Sequence, residues 1–160
     1  MKKKVIIIII CLLLLCVAGL CKCVSDLNKP CSSFGFDGVR GNLIYHWDEE
    51  LPVSGDMKYE IDDLGGFPMD GATFAVIDYQ EAVLEDRYEE WMESKDWTEL
   101  DREDIEFLDA ALESLTVERK YRPDYSKVEV YKRTKSDGLD DLYILHEKGT
   151  KKIYVLEWLI

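Results

Sequence analysis

The sequence predicts an α+β domain: an antiparallel sheet of about five to six strands with a helical hairpin packed on one face. The order is β-β-β-α-α-β-β-β, behind an N-terminal hydrophobic helix. Three observations lead there. Segments on either side of residues 80–115 alternate apolar and polar side chains with period two, the mark of half-buried strands. Between them the apolar spacing changes to three and four, the mark of amphipathic helices. Ahead of both runs VIIIIICLLLLCVAGL, from Val5 to Leu20, which has no polar side chain and follows Lys2, Lys3 and Lys4.

A basic flank before an apolar run is the pattern of a secretory signal or an N-terminal membrane anchor. The expected organisation is therefore signal or anchor over residues 1–23, an irregular Ser/Gly/Pro-rich entry over 24–41, and one extracytoplasmic domain over 42–160. As a helix the 16-residue run reaches about 24 Å, short of the ~30 Å hydrocarbon core. Val17, Ala18 and Gly19 offer small residues for cleavage after Gly19. Retention as a lysine-flanked anchor is the rival fate. The segment VAGL before Cys21 resembles a bacterial lipobox but departs from it at Leu20, where that pattern wants a small residue. All five cysteines fall within the first 31 residues. Cys11 and Cys16 read as small hydrophobes inside the run. Cys21, Cys23 and Cys31 are an odd set, so one pair leaves one thiol over.

The strand signals come in order. Residues 42–47 alternate Leu43, Tyr45 and Trp47 against Ile44 and His46. Residues 57–61 alternate Met57, Tyr59 and Ile61 against Lys58 and Glu60. Residues 72–79, ATFAVIDY, are apolar on both faces and read as a buried strand. Leu84, Tyr88, Trp91 and Met92 place a helix over 80–96. Thr98 followed by Asp101 reads as the capping start of a second helix whose buried stripe is Leu100, Ile105, Leu108, Ala111, Leu112 and Leu115. A gap of about two residues makes the pair an αα-hairpin. Strands follow at 127–134, 141–147 and 151–159, the last two joined by a turn at Lys148-Gly149-Thr150. The final strand, KKIYVLEWL, is apolar on both faces and so belongs in the middle of the sheet. This order resembles cystatin-like and NTF2-like folds, a likeness of architecture that implies no function.

Chemistry-bearing motifs are scarce. The two histidines, His46 and His146, sit on expected strands and read as surface or cross-strand residues. No HxH, HExxH, CxxC, GxSxG or P-loop spacing occurs, so no catalytic, cofactor or metal residues are assigned. Asp62, Asp63 and Asp70 are oxygen ligands without EF-hand spacing, and turn chemistry accounts for them. A Cys31–His46 or Cys31–His146 nucleophile pair has no local support.

Charge carries more information. The whole chain has net charge −13, and Lys2, Lys3, Lys4 and Lys22 are its only charges before residue 24, so the remainder carries −17. Nucleic acid and anionic headgroups repel such a surface. Residues 81–113 hold 14 acids and 3 bases, whereas residues 118–152 hold 10 bases and 7 acids. The helices are thus expected to present an acidic face, read either as a solvated face balanced by its own sheet or as a dock for a basic protein. Tyr88, Trp91 and Trp97 read as contact anchors of that dock or, as is commoner at helical spacing, as core residues. The functional expectation is a non-catalytic binding module outside the cytoplasm, membrane-anchored through residues 5–20 or secreted. The alternative is a small extracytoplasmic hydrolase-like enzyme using carboxylates and His46 or His146.

Overall fold

A computed structural model describes residues 35–63, 71–80 and 85–160. The hydrophobic leader, the five cysteines and Asp70 lie outside the described residues, and with them the expectations for cleavage, disulfides and an Asp62–Asp63–Asp70 cation site.

The first described element is a helix, α1 (Gly35–Trp47). This corrects two expectations, the strand over 42–47 and the irregular entry running to residue 41. The alternation Leu43, Tyr45, Trp47 is misleading because Tyr45 is 79% exposed. The buried set is Val39, Leu43 and Trp47, spaced by four, which is one stripe of a helix. The helix ends where Asp48 turns left-handed at φ 52°. There the amides of Asp48 and Glu49 donate to the carbonyls of Ile44 and Leu43 at 3.1 and 3.2 Å. Aspartate tolerates that backbone region better than most residues.

Five antiparallel strands follow: β1 (Asp56–Asp62), β2 (Gly71–Asp78), β3 (Val128–Thr134), β4 (Asp141–Glu147) and β5 (Lys152–Leu159). Their order across the sheet is β1-β2-β5-β4-β3. The two-faced apolar strand β5 is central, as its pattern requires, and the hairpin β4–β5 turns where Thr150 N–H donates to Glu147 O at 3.0 Å. Two further helices, α2 (Glu85–Glu93) and α3 (Arg102–Ser114), lie between β2 and β3. Asp101, not Thr98, caps α3: its carboxylate accepts from Asp104 N–H at 2.8 Å.

The helices do not form a hairpin on one face. One core joins Val39, Leu43 and Trp47 of α1 and Tyr88 and Trp91 of α2 to Ala75, Ile77, Ile144 and Val155. The other joins Leu108, Ala111 and Leu112 of α3 to Phe74, Val76, Tyr143, Leu145 and Leu156. Successive residues of β2, β4 and β5 thus alternate between two apolar cores, and a sheet with two apolar faces needs cover on both. The connection from α2 to α3 is long enough to change sides. On the way Thr98 makes an isolated antiparallel bridge with Val130, with N–H to O distances of 2.9 and 2.8 Å, along the outer edge of β3.

Candidate functional site

Glu157 is the one charged residue within the apolar run of β5 from Ile153 to Leu159, and it is 1% exposed. It lies on the α1–α2 side of the sheet, in register with Thr73 of β2 and Leu142 of β4. A buried carboxylate is very costly unless donors satisfy it. Its Oε1 accepts from Trp47 Nε1–H at 2.8 Å and lies 2.5 Å from His46 Nδ1. Thr73 Oγ1 donates to Oε2 at 3.4 Å. Both α1 donors come from its last turn, where Trp47 completes the buried stripe and His46 flanks it.

This network fixes the imidazole. An oxygen that already accepts the indole N–H meets Nδ1 as another donor, so Nδ1 carries the hydrogen. Nε2 of the neutral ring then presents its lone pair. Among the described residues no hydrogen bond is given to Nε2, and the His46 side chain is 8% exposed.

His46 lines a cleft of about 600 Å3 between the end of α1 and the start of the β3–β4 connection, with Tyr45, Asp48, Arg133, Lys135 and Ser136 around it. Arg133 Nη1 donates to the Trp47 carbonyl at 2.5 Å, which ties β3 to the carboxyl end of α1. Lys135 Nζ donates to Asp140 Oδ2 at 2.6 Å and stands 5.0 Å from the centre of the Trp47 ring. Partial burial opposes ionisation of Asp140. The Lys135 ammonium, the Ile160 amide and nearby His46 outweigh it and hold the carboxyl below its usual range.

A second buried carboxylate, Glu49, sits one residue beyond the α1 turn. It is ion-paired with Lys95, accepts from Trp91 Nε1–H at 3.2 Å, and lies 3.9 Å from Arg133 Nη1. Lys95 also stands over the Trp91 and Tyr131 rings at 5.5 and 5.0 Å. Lys95 and Trp91 tie Glu49 to α2, and Arg133 approaches it from β3. A smaller cleft of about 360 Å3 between the 50–53 segment and α2, lined by Arg87 and Glu90 among others, holds no histidine.

His146 fits the cross-strand expectation: it pairs in register with Glu129, Nδ1 to Oε1 2.8 Å, and Nε2 lies 2.9 Å from Thr150 O. His46 does not, being helical and bound to Glu157. The two histidines belong to different hydrogen-bond networks. Of the two readings of the helical aromatics, Tyr88 and Trp91 are core residues rather than contact anchors, and Trp97 packs partly buried against the same core. Among the described residues no group of three or more metal-ligating side chains occurs.

Sequence reasoning missed Glu157, Arg133 and Lys135. Glu157 alone left a signal, a charge inside a strand otherwise apolar on both faces. Comparison with family models, with curated proteins and with solved structures returns no match.

Proposed function

We propose that this chain is an extracytoplasmic, non-catalytic interaction module, anchored through Val5–Leu20 or secreted after its removal, that docks a basic protein on the outer face of α3. The observation that carries the reading is the two-sidedness of that helix. Leu108, Ala111 and Leu112 are buried, while Glu103, Glu106, Asp109 and Glu113 recur at spacings of three and four and are exposed. Like charges so spaced destabilise an isolated helix slightly. They are useful where a cationic surface arrives to meet them. The full acidic stretch does not form one face, because α2 and α3 cover opposite sides of the sheet, so the docking surface is α3 alone.

The test is recovery of partners from an envelope extract by the full chain, at low and high salt, against a Glu103→Gln/Glu106→Gln/Glu113→Gln variant. These positions leave the Asp101 cap and the Asp109–Tyr125 hydrogen bond intact. The triple change also ends the exposed Arg102–Glu106 pair, which is worth little. A basic protein held by the wild type at low salt and lost by the variant, with melting unchanged, is the expected result. Equal recovery by the variant would sink the reading.

One arrangement favours the alternative, a small hydrolase-like enzyme: an imidazole oriented by a buried carboxylate at the wall of a cleft is a general-base geometry. Turnover of a simple ester that disappears in His46→Asn would make that reading the better one.

A further inference from the structure

We propose that the His46 cleft is a binding site for a small organic carboxylate, separate from the α3 docking face and independent of it. On a chain of net charge −13, the cleft lining carries Arg133 and Lys135 beside Asp48, with Asp140 paired to Lys135 and Glu49 3.9 Å from Arg133 Nη1 behind the wall. The carboxyl end of α1 would by itself repel an anion. Its last carbonyl, Trp47 O, is already taken by Arg133 Nη1.

That contact uses one of the five N–H donors of the guanidinium fork. It also places the guanidinium at the cleft wall, where its other N–H groups can meet a ligand. A planar, bidentate fork matches a carboxylate. Lys135 likewise gives one of its three donors to Asp140. His46 supplies the third contact. Its Nδ1 is held on Glu157 Oε1 at 2.5 Å, which leaves Nε2 as the ring nitrogen for a ligand at the cleft wall.

The rest of the wall sets the ligand class. Tyr45 and Ile44 line the same cleft and are 79% and 43% exposed, two of the four large hydrophobic side chains left uncovered among the described residues. They offer an apolar shelf beside the cations. A carboxylate with an apolar body uses both halves, whereas inorganic phosphate uses one. The volume of about 600 Å3 suits a small organic molecule.

The test follows the His46 ring and Trp47 indole N–H resonances by NMR, using the full chain in detergent titrated with benzoate, with neutral benzamide and with inorganic phosphate. Saturable shifts with benzoate at a dissociation constant of about 1 mM or tighter, and none with benzamide, are expected. Arg133→Gln should weaken benzoate at least about tenfold. Because Arg133 also ties β3 to α1, Tyr45→Ala is the companion variant. Its side chain is exposed, so it should melt as the wild type does and still bind benzoate several-fold more weakly. The α3 triple variant should bind benzoate normally. The proposal is overturned if benzoate gives no saturable shift, if benzamide or phosphate binds as tightly, or if neither single variant changes the affinity.

Discussion

Two buried aromatic side chains on the same side of the sheet place opposite demands on their polar atoms. Trp47 Nε1–H is one of the few donors that compensate Glu157. Trp47→Phe keeps most of the packing but removes a hydrogen bond to a buried carboxylate. Such bonds are worth about 1.5–3 kcal/mol, and urea unfolding should show a loss of that size. Tyr88 is the reverse case. Its hydroxyl is buried without a partner among the described residues. Burial first, then Asp78 and Glu129, push its ionisation far above the ordinary tyrosine value. Tyr88→Phe removes a polar group that gains nothing, so it should leave the unfolding midpoint unchanged or raise it, by up to about 1 kcal/mol. Should Tyr88→Phe cost more than Trp47→Phe, this account of the α1–α2 core would be wrong. The residue scale is also where the sequence was least legible. His46 was visible as a histidine, but its partner lies 111 residues further along the chain. No local pattern links a helix C-terminus to a strand at that separation. Arg133 and Lys135 looked like ordinary strand-end charges for the same reason.

At the scale of elements, legibility followed periodicity. The strand β1 was readable because a pleat alternates with period two, and β2 and β5 because a short run apolar on both faces suits a buried strand. The pattern failed at α1, where Gly35 and Gly41 read as linker and Tyr45 simulated alternation. The two-residue hairpin failed because Thr98 resembles an N-cap, whereas its hydrogen bonds go to the edge of β3. What holds α3 in place is a polar tie as well as a core. Asp104 in its first turn accepts from Lys132 Nζ of β3 at 2.9 Å and from Tyr143 OH of β4 at 3.1 Å. Partial burial works against the Asp104 anion, yet the hydrogen bonds and charge of Lys132, with Tyr143 and the Asp101 contact, outweigh it and depress its pKa. The same surroundings push Tyr143 up to about 12, chiefly by burial. A carboxyl depressed on folding stabilises the protein above its unfolded pKa, and that stability is lost as pH falls through the folded value. The wild type should therefore exceed Asp104→Asn in melting temperature at neutral pH. The gap should narrow from the ordinary aspartate value of 3.8 downward. A gap that widens on acidification would contradict the tie.

Across the whole molecule, one sheet serves two cores that share no side chain. Ile144 and Leu145 are neighbours on β4, both essentially fully buried, with Ile144 in the α1–α2 core and Leu145 in the α3 core. Truncating either to alanine should cost about 2–4 kcal/mol, the usual transfer and cavity penalty for such residues. Their side chains point to opposite faces, so the two cavities have no common lining. The double variant should then lose the sum of the single losses to within about 0.5 kcal/mol. Additivity alone would also suit two independent folding units. The backbone argues otherwise, because β2, β4 and β5 each contribute alternate residues to both cores and cannot unfold on one face alone. Three of the four tryptophans, Trp47, Trp91 and Trp97, lie in or against the α1–α2 core and Trp158 against the other. Fluorescence is therefore weighted to the α1–α2 side, whereas far-ultraviolet circular dichroism follows the backbone of the whole domain. In both single variants the two signals should shift to the same lower urea midpoint with unchanged slope, as one cooperative transition. An Ile144→Ala protein whose fluorescence unfolds ahead of its circular dichroism would show that the two faces are separable. The sheet would then be a partition between two units rather than the shared centre of one.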